Sequence, residues 1–352
     1  MSLKIGFGLV TAQIPPWAEH TVAAEYADTL AMTRMAEGLG FDSIWVSEHH
    51  IAEDGYLPSA LPLLAAMGAV TDRLTLGTAI ALSPFHDPLR FAEDCAVVDA
   101  LSGGGRLVMG LGTGWRRREF AAFGLSVRER AASMARLVDV CRRAWGSPIA
   151  GDEVSAATPK PVQPIPLLLG GTVPAAIDRA GRIADGYIGS PQNDINAFRA
   201  AVERFDAAAA AAGRDPATLT LALHVNAWIS ADGEIPAAVT RAMWHQIGTY
   251  MQWHAEDDGA PVGGELPALD LDRLRARTVF GTPDEVVEQL TPWIEEFADR
   301  ELHFIFRLHY PGMRLADAEP AMNVFAEAAA PRLRAVAPHA AGVRPRDAVG
   351  RR

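Results

Sequence analysis

Glu48, His49 and His50 are consecutive titratable residues that follow the apolar run Ser43–Ser47. One carboxyl group and two imidazoles at a strand end could supply a general acid or base and a hydrogen-bond donor to an anionic centre. Adjacent side chains on a strand point to opposite sides, so the two histidines are not expected to contact one ligand. Catalysis and simple capping of the strand both explain the triplet. The HExxH motif is absent, and no metal site is predicted.

The loop Gly110–Trp115 is rich in glycine. It does not match the dinucleotide-binding pattern G-x-G-x-x-G, because Trp115 occupies the position of the last glycine. The presence of glycine at positions 110, 112 and 114 has two possible explanations. The backbone could pass close to a flat ligand, or the chain could make a tight turn between a strand and a helix.

Gly171 and Thr172 precede a helix that is predicted to begin near Val173. Free N–H groups at a helix N-terminus attract anions, and Thr172 adds a hydroxyl donor. The same threonine could instead be an ordinary N-cap. The run Arg116–Arg118 also has two explanations, either a solvated charged face or a site for an acidic part of a ligand.

Short apolar runs alternate along the chain with longer segments of helical periodicity. The predicted strands are Lys4–Val10, Ser43–Ser47, Leu74–Leu82, Arg106–Leu111, Ile165–Leu169, Gly186–Ser190, Leu219–Ile229 and Leu302–Leu308. The predicted helices are Glu25–Leu39, Ser59–Val70, Pro88–Leu101, Arg128–Trp145, Val173–Ala184, Ile195–Ala212, Thr282–Ala298 and Ala318–Ala335. Most of the strands are apolar on both faces, which is typical of a parallel sheet. Eight such units predict an α/β fold, a closed (β/α)8 TIM barrel with insertions.

A barrel of this type uses about 250 residues, so the chain has room for insertions. We predict one domain over residues 1–337, with residues 230–278 as its largest insertion, and a flexible tail over residues 338–352. The active sites of such barrels lie at the C-terminal ends of the strands. That rule selects the triplet after the second strand and the glycine-containing loops after the fourth and fifth strands.

The composition excludes several classes of protein. The 352 residues are 49% hydrophobic and 21% charged, which is ordinary for a globular protein. A net charge of −11 argues against a nucleic-acid partner, because phosphate binding needs a basic surface. No apolar run reaches the roughly 18 residues of a membrane span, and Cys95 and Cys141 form neither a zinc motif nor a disulfide framework. We expect a cytoplasmic protein with reduced thiols that binds neither nucleic acid nor membrane.

Five stretches of the sequence together resemble the bacterial luciferase-like flavin monooxygenases. In chain order they are GFDSIWVSEHH (Gly40–His50), RLTLGTAIALSPFHDPLRFAEDCAVVDALSGGGRLVMGLGTGW (Arg73–Trp115), EFAAFG (Glu119–Gly124), LLLGGTVPAAIDRAGRIADGY (Leu167–Tyr187) and FGTPDEVVEQL (Phe280–Leu290). The resemblance implies a (β/α)8 barrel that binds a reduced flavin at its C-terminal face and forms a homodimer. It also makes the insertion at 230–278 a candidate mobile lid.

The resemblance implies a role for each matching residue. His49 corresponds to the catalytic histidine of the family, and Ala79 and Ile80 match the site of a non-proline cis peptide behind the flavin ring. Thr113 stands where luciferase has an arginine that contacts the flavin phosphate, so either Arg116–Arg118 replaces that arginine or the phosphate is held differently. The cofactor-binding candidates are Glu48, His50, Ala79, Ile80, Gly112, Thr113, Trp115, Gly171, Thr172 and Ala175.

The resemblance favours a two-component flavin-dependent monooxygenase. A separate flavin reductase would supply reduced FMN, and dioxygen would oxygenate a small organic substrate. The EHH triplet resembles this branch of the family more closely. The first alternative is an oxidoreductase that uses the deazaflavin coenzyme F420 and transfers hydride without dioxygen, and the arginine triplet would suit the acidic tail of that coenzyme. The second alternative is a flavin-binding partner subunit without turnover.

Overall fold

The strands of this protein pair in parallel throughout the described sheet. The structure is a computed structural model that describes residues 2–190 and 194–340. The strands are Ser2–Val10 (β1), Ser43–Val46 (β2), Thr75–Leu82 (β3), Leu107–Gly112 (β4), Leu167–Gly170 (β5), Gly186–Gly189 (β6), Thr220–Ile229 (β7), Val279–Gly281 (β8) and Glu301–Arg307 (β9). The order β6-β5-β4-β3-β2-β1-β9-β7 closes on itself because β6 also pairs with β7. The predicted eight-stranded (β/α)8 barrel is therefore confirmed.

The strand β8 was not predicted from the sequence. It is three residues long, and it pairs with the end of β7 at Ala227–Ile229. Because a run of three residues is too short to show a two-residue alternation, hydrophobic periodicity gives no signal for it.

Helices surround the barrel and cover its mouth. They are Val22–Gly38 (α1), Ala60–Ala69 (α2), Pro88–Leu101 (α3), Arg117–Ala122 (α4), Arg130–Trp145 (α5), Pro174–Ile183 (α6), Ile195–Ala211 (α7), Ala237–Asp257 (α8), Leu271–Ala276 (α9), Pro283–Glu296 (α10), Leu315–Val324 (α11) and Ala330–Ala340 (α12). Local sequence explains several of the helix starts. Asp87 accepts hydrogen bonds from the backbone N–H groups of Leu89 and Arg90 and so caps α3, while Thr282 and Glu285 form a capping box at α10.

Three predictions about helices differ from the structure. The predicted helix Ala318–Ala335 is instead α11, a π-helical turn and α12, and it continues to Ala340. Residues 338–340 of the predicted tail belong to α12, and residues 341–352 lie outside the described part of the chain. The insertion 230–278, for which no secondary structure was predicted, contains α8 and α9. No helix within 2–190 and 194–340 combines the length and apolar character that crossing a membrane requires.

The barrel interior is filled by side chains below its mouth. Trp45 is fully buried there, and its Nε1 donates a hydrogen bond to Ser43 Oγ at 2.7 Å. A Cβ atom at Gly77 would lie 2.3 Å from the Trp45 ring, so the glycine makes room for the indole. Trp45 packs inside the barrel with Leu168 and Ile305. Protein side chains therefore fill the interior at this level, below the C-terminal ends of the strands.

Candidate active site

Glu48 joins the end of β2 to the segment after β3. Its Oε2 accepts hydrogen bonds from the Leu82 N–H at 2.9 Å and from His86 Nε2 at 3.1 Å, and its Oε1 lies 3.1 Å from His50 Nε2. Burial alone would raise the pKa of Glu48. The hydrogen bonds from His50 and His86, the charge of His86 and the Leu82 N–H outweigh burial and lower the pKa to about 2. The carboxylate is thus ionised, and it orients two imidazoles.

His49 forms a buried pair with Glu119, a residue of α4. Its Nδ1 lies 2.9 Å from Glu119 Oε1, and the same oxygen accepts the His50 backbone N–H at 2.8 Å. In the tautomer in which Nδ1 donates to the Glu119 carboxylate, Nε2 has the lone pair. A base held by an orienting carboxylate is the arrangement that proton abstraction requires.

Aromatic rings surround the His49 imidazole. The ring centroids of Tyr56, Tyr250 and Trp253 lie 4.9, 5.4 and 4.9 Å from its centroid. The hydroxyl groups of the two tyrosines are 3.1 Å apart and hydrogen-bonded to each other. His49 is 5% exposed. These rings restrict the imidazole to one orientation and keep bulk water away from it.

His50 has different neighbours from His49, as expected from the sequence, although β2 ends at Val46 and both residues lie beyond the strand. Its ring packs edge-on against Phe85 and Phe123, with centroids 5.2 and 4.8 Å away. Its Nε2 bonds with Glu48. The His50 imidazole therefore belongs to a different network from the His49–Glu119 pair, and only the His50 backbone N–H bonds to Glu119.

The peptide bond between Ala79 and Ile80 is cis, at the position where the resemblance places one. The Ile80 side chain lies over the ends of β4 and β5. A Cβ atom at Gly112 would be 1.7 Å from Ile80 Cδ1, and one at Gly170 would be 3.5 Å from Ile80 Cγ2. A residue with a side chain at position 112 would clash with Ile80, so the position requires glycine. The tight-turn explanation applies to Gly114, which has a φ of +65°.

Thr172 is exposed, and it is not the N-cap of α6. The N-cap is Val173, which makes no side-chain capping bond, so the capping explanation of Thr172 is wrong. The Thr172 side chain lines a cavity of about 430 Å³ together with Tyr187, Ser190 and Asp194. Gly171 precedes it and accepts a 2.7 Å hydrogen bond from the Tyr187 hydroxyl through its carbonyl oxygen.

Ala175 lies in the first turn of α6 and is exposed. Thr113 follows β4 directly and is half-buried at the mouth of the barrel. Trp115 stacks on His254 of α8, with ring centroids 3.9 Å apart and an angle of 14° between the planes. The structure therefore brings these three cofactor-binding candidates to the mouth of the barrel, and Trp115 is held there by α8.

The three arginines after β4 do not form one solvated face. Arg116 is 1% exposed, donates to the His50 carbonyl oxygen at 3.0 Å, and lies 3.4 Å from Glu256. Its guanidinium group also stacks over the Trp253 ring at 4.2 Å. The solvated-face interpretation is wrong for Arg116. The charge of Arg116 is compensated by Glu256.

The model of the luciferase-like monooxygenase family matches residues 7–300 of this sequence. The chain belongs to that family. It is accordingly an enzyme of the luciferase-like oxidoreductases.

Proteins from three bacteria are similar to this chain over most of its length. The F420-dependent glucose-6-phosphate dehydrogenase of Nakamurella multipartita is 30% identical over 346 residues, which cover 91% of this chain and 95% of the relative. The enzyme of the same name from Microbacterium testaceum is 29% identical over 320 residues, which cover 85% of this chain and 91% of the relative. The crystal structure of monooxygenase RslO1 from Streptomyces bottropensis is 25% identical, with a TM-score of 0.73 over 94% of this chain and 99% of that one.

Two residues of this luciferase-like protein, Arg130 and Arg179, are not predicted from the sequence and form a cationic pair near Gly114. Arg130 Nη1 lies 3.4 Å from the Gly114 carbonyl oxygen. Arg179 Nε is buried without a hydrogen-bond partner in the described residues, and burial together with the charges of Arg182 and Arg130 lowers the pKa of Arg179. Single arginines at helix surfaces give no sequence signal, because their proximity depends on the packing of α5 and α6.

Helix α8 supplies the other residues that the sequence did not identify, Tyr250 and Trp253. Aromatic residues at helical spacing along Ala237–Asp257 could have indicated that this segment packs on the mouth of the barrel. A cavity of about 530 Å³ lies between α8 and the loops after β1 and β2, and Trp253 lines it as well as contacting His49.

That residues 230–278 act as a mobile lid remains a prediction for this luciferase-like protein. Lids are drawn from the less stable elements of a fold, so we expect faster amide hydrogen exchange in this segment than in the barrel strands, with slower exchange once a cofactor binds. Strong protection of the segment without a cofactor, unchanged when one is added, would contradict the lid.

Proposed function

We propose that the chain is an oxidoreductase that uses coenzyme F420 and moves hydride between the deazaflavin and a small alcohol or its carbonyl product. The observation that carries the proposal is the His49–Glu119 pair, a buried imidazole whose Nε2 can accept a proton while a carboxylate holds Nδ1. Relatives that cover at least 85% of the chain are named F420-dependent dehydrogenases, which favours the deazaflavin over FMN. This order of the two cofactors is the reverse of the one that the sequence favoured.

Oxidation of an alcohol requires that hydride leave the carbon and that a proton leave the hydroxyl group. The deazaflavin, when bound, supplies the hydride acceptor and needs no dioxygen. His49 Nε2 takes the hydroxyl proton, and Glu119 stabilises the positive charge that the imidazole gains. The rings of Tyr56, Tyr250 and Trp253 keep water from competing for that proton.

The residues at the mouth of the barrel fit this cofactor. Ile80, which lies over Gly112, offers an apolar surface to a flat ring. The exposed Thr172 side chain and the cationic pair Arg130 and Arg179 suit a phosphate and an acidic tail. Neither arginine of the pair forms an ion pair with the residues that the structure describes, so a bound anion would compensate their charge.

A second candidate function is FMN-dependent oxygenation of a small organic substrate. It is favoured by the structural similarity to monooxygenase RslO1, at 25% identity and a TM-score of 0.73. This function would need a flavin reductase as partner and dioxygen as co-substrate. A homodimer is expected for both functions, since the resemblance to the family implies it in either case.

Cofactor titration followed by turnover distinguishes the candidates. We expect coenzyme F420 to bind more tightly than FMN, and its oxidised form to be reduced anaerobically when an alcohol of a test panel is added. Tighter binding of FMN, with dioxygen uptake when a reductase is supplied, would support the second function instead. Binding of either cofactor without any turnover would favour a non-catalytic partner subunit.

The variant His49→Ala tests the role of the base. We expect reduction of coenzyme F420 to slow by roughly 10²- to 10⁴-fold while the affinity for the coenzyme stays the same. The neighbouring His50→Ala is the matched control, because His50 bonds with Glu48 and packs on phenylalanines. It should alter stability or cofactor binding more than the rate. Full activity of His49→Ala would refute the assignment.

A further inference from the structure

Three polar side chains of β7 and β9 point into the mouth of the barrel. His224 and Asn226 lie on the same face of β7 as Ala222, and Arg307 lies on the same face of β9 as Ile305, because side chains alternate along a strand. Ala222 and Ile305 pack in the cluster inside the barrel. Asn226 and Arg307 are direct partners in the register of the two strands. The three side chains therefore stand next to one another above the barrel core.

Each of these side chains has a buried polar atom without a partner. They are His224 Nε2, Asn226 Oδ1 and Arg307 Nε, and none has a hydrogen-bond partner in residues 2–190 or 194–340. Arg307 is 1% exposed, and it forms no ion pair within those ranges. Buried polar groups are nearly always satisfied, and an uncompensated buried charge is costly. An anion supplied by a ligand would accept hydrogen bonds from Arg307 Nε and, when that nitrogen carries the proton, from His224 Nε2, whereas Asn226 Oδ1 is itself an acceptor and needs a donor from the ligand.

The charge of the site indicates which anion fits. Burial and the nearby charge of Arg307 lower the pKa of His224 to about 3, so its imidazole is neutral at pH 7. Asn226 is uncharged, and the site therefore carries a single positive charge. A carboxylate balances that charge, and a guanidinium group can bind it through two parallel hydrogen bonds. A phosphate dianion would leave one negative charge buried without compensation.

Tyr250 connects this site to the proposed base. The Tyr250 ring packs on His49, and its hydroxyl bonds with that of Tyr56. Burial raises the pKa of Tyr250, and the charge of Arg307 opposes that rise, so the guanidinium group lies near the phenol. A ligand held by Arg307 is consequently on the same side of the mouth as His49.

We propose that Arg307, with His224, binds the carboxylate of the substrate beside Asn226, and that the substrate is a small hydroxy acid or the corresponding oxo acid. The hydroxy-acid part of this statement rests on the proposed function, in which His49 takes a proton from an alcohol. The carboxylate site itself is independent of the cofactor.

The test compares matched probes that differ at one end only. Calorimetric titration of the protein without cofactor would use hydroxy acids of two to six carbons, their amides and the corresponding diols, for example lactate, lactamide and propane-1,2-diol. We expect at least one acid to bind about ten- to a hundredfold more tightly than its amide and diol. The variant Arg307→Gln should lose that preference and keep its affinity for coenzyme F420.

The variant Asn226→Asp covers the case in which Arg307→Gln does not fold. It changes no volume, and its carboxylate gives Arg307 an internal partner and repels an incoming acid. We expect it to raise the melting temperature of the free protein and to weaken acid binding by about ten- to a hundredfold. Equal binding of acids and amides by the wild type, or an unchanged acid preference in both variants, would overturn the proposal. So would a loss of F420 affinity in the variants without a loss of acid binding.

These outcomes are distinguishable from a failure of the proposed function. Acid binding without cofactor can be observed even if the protein never reduces coenzyme F420. Conversely, reduction of coenzyme F420 by neutral alcohols alone would support the proposed function and refute the carboxylate site.

Discussion

The Glu48 carboxylate should make a large, pH-dependent contribution to stability. Its pKa is about 2 in the folded protein against 4.5 ordinarily. That difference corresponds to about 3 kcal/mol in favour of the folded state at pH 7. Because the folded-state pKa is the lower one, the contribution is complete above pH 4.5 and is lost as the pH falls through 2. The isosteric variant Glu48→Gln removes the charge. It also replaces one of the two hydrogen-bond-accepting oxygens with an NH2 group, which can only donate.

Urea unfolding of the wild type and of Glu48→Gln, followed by tryptophan fluorescence, measures this contribution. We expect the variant to be less stable by about 3 kcal/mol at pH 7 and by about 2 kcal/mol at pH 3.5. Glu53→Gln is the control, because Glu53 is exposed and lies 3.8 Å from Arg118 in a surface ion pair. It should change stability by less than about 0.5 kcal/mol at either pH.

Two results would refute this reasoning about Glu48. One is a loss below about 1 kcal/mol at pH 7, which would mean that the hydrogen bonds from His50 and His86 do not outweigh the cost of burial. The other is a loss that is the same at both pH values. It would show that the difference in the free energy of unfolding between the wild type and Glu48→Gln comes from packing or amide geometry and not from ionisation of Glu48.

Three further predictions follow from contacts in the site. Glu119→Gln should slow turnover by about ten- to a hundredfold with unchanged cofactor affinity, because a charged hydrogen bond to His49 is lost; an unchanged rate would refute it. Gly112→Ala should destabilise the fold by about 1–3 kcal/mol through a clash with Ile80, and Ile80→Val should restore part of the loss in thermal unfolding. Thr172→Val should weaken FMN binding by about ten- to a hundredfold and riboflavin binding far less, whereas equal losses would contradict a phosphate contact.

The barrel could be predicted from sequence because its signals are local. Eight apolar runs separated by helical segments specify the strands, and the rule about C-terminal strand ends then selects His49 and Thr172. The cis peptide at Ala79–Ile80 was predicted from the family resemblance alone. In each case the information lies within a few residues of the feature it specifies.

The pairing of His49 with Glu119 could not be predicted in this way. The two residues are 70 positions apart, and Glu119 belongs to a six-residue helix that is too short to show a helical periodicity. Arg116, in the charged run before it, was buried by contacts with α8 that no local pattern encodes. For His224 and Asn226 a signal did exist, since polar residues at alternate positions of an otherwise apolar strand indicate a face that meets a ligand or solvent.

The distribution of charge at the mouth of the barrel supports the two proposed anion sites together. On the β2 side, the carboxylates of Glu48 and Glu119 are already occupied by imidazoles. On the other sides, Arg130, Arg179 and Arg307 form no ion pair with the described residues. The chain has 43 acidic and 32 basic residues, so acidic partners are not scarce. Three arginines left unpaired in an acidic protein, at the place where ligands enter such barrels, are best explained by anions that arrive with the cofactor and the substrate.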